Sequence, residues 1–330
     1  MSVRSLAAVG LLAALAPRPA LAYGEPDAEG VPDRRERLLH VLSNQIRQEP
    51  HAWPDWDTSL ATPEPRRPLA LEQRLFGSAR FHADDMATTP CFQHESCDGT
   101  SFQDRLSRFF PGAAGENIYK ASGDASPRSA LVGWMNSAGH RRNLLDPDWR
   151  LLGTGFARGG SWVYYVQNFG SPASGASPLV PGAAVEELGG GRYRALANFH
   201  DVDGAGPAEL AAVVDGTQYP LARIAGRPEN QTASAELTLA GCAEVFFRAV
   251  SAGGEAVRFP DRGALLAGPE CEADYRAEPA RGGSGGRTVI EADPAGGCRC
   301  VPASRAQAPG ALILGLLAAV ALLRPRTRAR

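Results

Sequence analysis

The chain has 330 residues, 44% of them hydrophobic and 21% charged, enough to fill the cores of two modest domains and too apolar for a wholly disordered protein. Its formal net charge is −2, and no Lys/Arg stripe interleaves with aromatics, so composition gives a nucleic-acid partner no support. At the N-terminus, Arg4 precedes an apolar run over residues 6–15, and Ala20-Leu21-Ala22 before Tyr23 has the small-x-small form that signal peptidase accepts. Residues 1–22 therefore read as a signal peptide, and the chain as exported.

Residues 23–33, rich in Pro, Glu and Asp, form a lead-in. Residues 34–49 place Leu38, Leu39, Leu42 and Ile46 at helical spacing, with Pro50 as a stop. After Pro63, Pro65 and Pro68, a second helix is predicted over residues 69–88, with Leu71, Leu75, Ala79, Ala83 and Met86 on one face and Pro90 beyond its end. His82 within it reads as a solvated or capping residue. Trp53 and Trp56 read as an apolar rim or as cover for the core. Residues 102–110 predict one or two helical turns, and residues 126–135 a helix with Ser126 as N-cap and Pro127 in the first position. Two strands, 153–158 and 161–169, flank the hairpin signal Gly159-Gly160.

Residues 171–181 form a Ser/Pro-rich linker. Beyond it the helical period disappears, and residues 192–199, 209–214, 217–221, 233–239, 244–250 and 256–259 read as short strands, with Asp215-Gly216 as a hairpin turn. Strands at this spacing predict an immunoglobulin-like β-sandwich over residues 182–275. Asp201-Val-Asp203-Gly204 reads as a turn, since the oxygen ligands that would complete a calcium loop are missing. Residues 276–297 form a Gly-rich tether. Residues 298–330 carry Cys298 and Cys300, an apolar stretch over residues 311–323, and Arg324, Arg326, Arg328 and Arg330. The stretch is short for a spanning helix.

Six cysteines in an exported chain favour disulfides, and spacing pairs Cys91 with Cys97 and Cys242 with Cys271. Closing the first loop is worth about 2.4 kcal/mol at most on the chain-entropy estimate. The rival reading makes Cys91, His94 and Cys97 ligands of one zinc. The remaining chemistry lies in Cys91-Phe-Gln-His94-Glu-Ser-Cys97, Ala114-Gly115-Glu116-Asn117-Ile118 and Trp134-Met-Asn-Ser137-Ala-Gly139-His140-Arg-Arg-Asn143. His94 and His140 are imidazoles suited to zinc or another divalent metal. Glu116 is either a third ligand or the acceptor that fixes a histidine tautomer. Ser137, His140 and Glu116 have the types of a hydrolase triad, but no Gly-x-Ser-x-Gly elbow is present. Arg141 and Arg142 read as solvated residues at a loop edge.

The order of these motifs, followed by the aromatic strand Trp162-Val-Tyr-Tyr-Val-Gln-Asn-Phe-Gly170, resembles the CAP superfamily, also called the SCP domain family, over residues 34–170. The resemblance implies a three-layer α/β/α sandwich, so the whole chain is expected to be α+β, a CAP domain followed by the all-β sandwich. It also implies a cleft in which paired histidines bind divalent metal. His94, Glu116 and His140 match three of the four cleft positions, with Asn117 adjacent. Ser137 stands where many members carry a second glutamate, and it supplies no acid–base group. The expectation is thus a cleft that binds a metal or small ligand without efficient catalysis. The alternatives are a metal-assisted hydrolase of peptide or wall substrates and an adhesion module acting through the β-sandwich. A small ligand, lipid or protein is the implied partner. The C-terminal order of Cys motif, apolar segment and Arg cluster resembles the sorting tails of myxobacterial surface proteins, which implies lipidation or sorting at Cys298 and Cys300 and attachment to a membrane at the cell surface.

Overall fold

The computed structural model describes residues 31–53, 64–89, 91–171 and 178–277. The signal segment, Trp56, Pro90, most of the linker and tether, Cys298, Cys300 and residues 311–323 lie outside them. Among the described residues, no helix is long and apolar enough to cross a membrane.

Helix α1 (Arg34–Gln48) opens on a capping box, in which Asp33 accepts from the Arg35 and Glu36 N–H groups and the Glu36 carboxylate accepts from the Asp33 N–H. Strands β1 (Ala70–Leu71), β2 (Ala113–Ser122), β3 (Leu151–Gly159) and β4 (Trp162–Ser171) form one sheet in the order β1-β3-β4-β2. Only the β1–β3 pairing is parallel. The predicted second helix begins later than expected, as α2 (Gln73–Thr88), because β3 captures Ala70 and Leu71 as an edge strand. Ser101 and Ser126 cap α3 (Phe102–Ser107) and α4 (Pro127–Met135). Residues expected at a loop edge form α5 (Ala138–Leu144).

Side chains alternate across β4 as strand geometry requires. Val163, Tyr165 and Phe169 join Leu39, Leu42, Leu131 and Trp134 in one core, whereas Tyr164 and Val166 join Ala79, Ala83 and Met86 in another. The sheet therefore lies between α2 on one face and α1 with α4 on the other. Trp53 belongs to the first core and is 2% exposed.

Two further sheets are antiparallel. Strands β5 (Ala183–Gly189), β6 (Arg192–His200), β9 (Ala222–Arg227) and β10 (Asn230–Thr238) are ordered β5-β6-β10-β9. Strands β7 (Glu209–Val214), β8 (Thr217–Pro220), β11 (Ala243–Val250), β13 (Ala264–Ala267) and β14 (Tyr275–Arg276) are ordered β14-β13-β11-β7-β8, and β12 (Ala256–Phe259) pairs with β11. Ala195, Ala197 and Phe199 of one sheet share a core with Ala212, Val245 and Phe247 of the other. Leu179 and Val180, expected in the linker, are buried in this core. A Cys242–Cys271 disulfide is formed, and the Asp201–Gly204 segment is a turn closed by the Asp203 N–H on Asp201 Oδ1.

Helix α1 departs most from its sequence pattern. A single apolar stripe predicts one solvated face, yet Ser43, Asn44, Arg47 and Gln48 are buried as fully as Leu39 and Leu42. The reason is that β5 and β6 cover the second face, with Ala184 and Leu196 in the same core as Leu39. Two of these polar side chains, Asn44 and Gln48, find partners across this contact. Asn44 donates to Asn198 Oδ1 (3.1 Å), Gln48 donates to the Gln231 carbonyl (3.0 Å), and Thr232 donates to Gln48 Oε1 (2.6 Å).

Candidate functional site

The site is built around β2, the edge strand of the first sheet. Successive residues of β2 point to opposite faces, so Glu116 faces α2 and α3 while Asn117 faces α5. Gly115 before them has no room for a side chain, since a Cβ there would lie 2.8 Å from Asn143 Oδ1 and 2.9 Å from Trp149 Cζ2. That close approach lets α5 reach the strand. Asn143 donates to the Glu116 carbonyl (3.0 Å) and to Asn117 Oδ1 (3.1 Å), and Asn117 donates to the His140 carbonyl (3.2 Å).

On the other face, the His94 loop is closed by the Cys91–Cys97 disulfide, Cα–Cα 5.9 Å. The disulfide replaces the Cys-His-Cys zinc set, because oxidised sulfurs are not thiolate ligands. The Cys97 N–H donates to Asp85 Oδ2 (2.7 Å), which ties this loop to α2. His94 Nδ1 donates to Glu116 Oε1 (2.9 Å), while Arg105 donates to Glu116 Oε2 (2.5 Å) and to the His94 carbonyl (2.8 Å). The Asn168 amide is best satisfied with its nitrogen toward Glu116 Oε2 (2.9 Å) and its oxygen toward the Ala79 N–H (3.2 Å). Glu116 is thus fully engaged as the group that orients His94.

His82 is not solvated and caps nothing. It is 0% exposed, with Nε2 at 3.0 Å from the Gln93 carbonyl and 3.8 Å from Glu116 Oε1. Helix α2 is rotated so that this residue points into the sheet. Arg105 and Asn168 were absent from the sequence-derived set. The faint signal for Arg105 is its place between Phe102 and Leu106, the two apolar residues of this short helix.

On α5, Ser137 stands at the N-cap position but makes no side-chain bond to the helix. Its hydroxyl instead shares a 2.8 Å hydrogen bond with His140 Nδ1. Glu116 therefore orients His94 and not His140, so Ser137, His140 and Glu116 do not form a relay. His94, Glu116, Asn117, Ser137, His140, Arg142, Asn143 and Asp146 line one open cleft of about 430 Å³, and Arg141 turns back to the Met135 carbonyl. The Glu116 hydrogen bond raises the His94 pKa above its ordinary value. Burial, with His94 nearby, lowers that of His140. Burial also lowers that of His82.

Each cleft imidazole is held through Nδ1, so a metal ion, if bound, would have to be taken by Nε2. Among the described residues, no group of three or more His, Cys, Asp or Glu side chains is assembled as a metal cage. The donor set at the cleft is two imidazoles, half of a tetrahedral site, and the remainder would come from water or a ligand.

Part of the chain that holds these features is similar to known proteins. Residues 42–169 match the model of the CAP, or cysteine-rich secretory protein, family. The uncharacterized protein YkwD of Bacillus subtilis is 37% identical over 97 residues, covering 29% of this chain and 37% of that protein. The uncharacterized membrane protein YlbC of the same organism is 40% identical over 103 residues, covering 31% of this chain and 28% of that protein. The chain thus spans 37% and 28% of these relatives' own lengths. Among solved structures, an extracellular SCP-domain protein from Bacillus anthracis is 36% identical, covering 32% of this chain and 35% of that one, with a TM-score of 0.29. The motifs at His94, Glu116 and His140 lie within the segment, residues 42–169, that is similar to the CAP family.

Proposed function

We propose that this is an exported CAP-domain protein whose cleft binds a divalent metal, or a small ligand, through His94 and His140 without efficient turnover. One observation carries the reading: each imidazole is fixed through Nδ1, His94 by Glu116 and His140 by Ser137, and both residues line the same cleft. Binding is favoured over hydrolysis because Glu116, the carboxylate a metal hydrolase would need as a base, is already committed to Arg105, His94 and Asn168. Two disulfides support an oxidising compartment and hence export. Surface tethering rests on the sequence of the C-terminal tail. The second domain reads as an immunoglobulin-like sandwich, and the strand orders β5-β6-β10-β9 and β13-β11-β7-β8 support that reading.

Metal analysis of the purified protein and its His94→Ala and His140→Ala variants tests the proposal. After loading with zinc and desalting, the wild type should retain about one equivalent, and each variant substantially less. Equal, negligible metal in all three would overturn the metal reading.

A further inference from the structure

Helix α5, which carries His140, is too short to be stable by itself, since one or two turns cannot offset the cost of nucleation. Its last carbonyls have no partners within the helix. Two arginines donate to the carbonyl of its last residue, Leu144, and to those of the two residues that follow it. Arg47 Nη1 donates to the carbonyls of Leu144 (2.7 Å) and Asp146 (2.9 Å), and Arg66 Nε donates to that of Leu145 (3.1 Å). Cations at a helix C-terminus also meet its dipole favourably.

The main chain at Arg66 is held in turn by β10, and Arg47 has neighbours on α1 that are held by β9 and β10. Arg66 is the junction: its N–H donates to the Arg47 carbonyl (2.6 Å), and its own carbonyl accepts from Asn230 Nδ2 of β10 (3.0 Å). Next to Arg47 on α1, Gln48 bonds Gln231 and Thr232 of β10, and Glu49 Oε2 accepts from the Gly226 N–H of β9 (2.7 Å). Hydrogen bonds therefore lead from Asn230 of β10 to Arg66, and from Arg66 both directly to Leu145 and by way of the Arg47 main chain to the end of the helix that bears His140, while β9 and β10 also hold α1 beside Arg47.

We infer that Arg66 is a positioning residue for the His140 helix, and that the second domain, through Asn230, is a working part of the cleft and not a spacer. The claim concerns the placement of α5 and holds whatever ligand the cleft takes. Its tests therefore do not depend on metal binding.

Hydrogen exchange on the full chain reads this directly. In Asn230→Ala, amides of residues 138–146 should exchange about fivefold faster, and in Arg66→Ala about tenfold faster, as expected for loss of a neutral and of a charged hydrogen bond. Amides of β3 and β4 should keep their wild-type rates. The His140 ring signal in NMR spectra should shift in both variants, and Arg66→Lys, which restores a cationic donor, should recover most of the protection. Wild-type exchange at residues 138–146 in both alanine variants would overturn the inference. So would acceleration spread evenly over the CAP domain, which would mean general destabilisation. Should Arg66→Ala fail to fold, Asn230→Ala, which removes a single amide, decides the matter by the same criteria.

Discussion

Glu116 and Arg105 are each almost fully buried, and their ion pair is the fixed point from which His94 is aimed. Removing one member of such a pair leaves the other charge in low dielectric, at a cost of about 3–5 kcal/mol. Glu116→Ala should therefore lower unfolding stability by that order in urea titration. Glu116→Gln, which keeps an acceptor oxygen for Arg105, should cost markedly less. Equal losses in the two variants would show that the carboxylate is not the element that balances Arg105. The sequence disclosed one half of this cluster. His94, Glu116, Ser137 and His140 stand in recognisable local strings, but the roles of Arg105 and His82 depend on how α3 and α2 are rotated against the sheet. His82 lies on the helix face that packs on β3 and β4, and periodicity alone does not show which polar residue of that face meets a carboxylate from a distant strand.

The element that sets that rotation is the contact of α2 with β3. Three glycines of Leu151–Gly159 receive the helix backbone: a Cβ at Gly153 would lie 2.0 Å from the Leu75 carbonyl carbon, one at Gly155 2.3 Å from that of Ala79, and one at Gly159 2.1 Å from the Ala87 oxygen. No rotamer relieves a clash with backbone, so Gly155→Ala should destabilise the protein by about 2 kcal/mol or more. Gly139→Ala is the contrasting case. Nothing lies within 4 Å of a Cβ there and the residue is helical, so alanine should stabilise α5 by about 0.5–1 kcal/mol. Thermal unfolding of the two variants should move in opposite directions, and a shared direction would refute the packing account. Turn chemistry made several elements legible. Asp215-Gly216, with φ of 45° and 83°, is the β7–β8 hairpin expected from its sequence. Strands β5 and β9 escaped notice because Ala, Glu, Arg and Gly carry weak strand preference, and their partners β6 and β10 were the only guide to them.

At the scale of the whole molecule, α1 is shared by the first sheet and by the sheets built after residue 182, so these parts are less separable than the linker composition suggests. His40 lies in this contact, 1% exposed, with Gly182 so close that a Cβ there would sit 2.4 Å from its Nδ1. Burial pushes the His40 pKa down to about 4 from its ordinary 6.5. The unfolded chain therefore takes up a proton at this residue near pH 6.5 that the folded chain refuses until about pH 4. Across that window the unfolded state binds more protons, so the contribution of neutral His40 is fully present above pH 6.5 and lost progressively as the pH falls. The shift corresponds to about 3 kcal/mol. His40→Leu should abolish this part of the acid sensitivity, reducing the slope of unfolding free energy against pH by up to about 1.4 kcal/mol per pH unit. Urea titrations at several pH values, followed by the fluorescence of the buried Trp53 and Trp134, would measure both slopes. Identical slopes in wild type and variant would mean that His40 is not a source of the acid sensitivity.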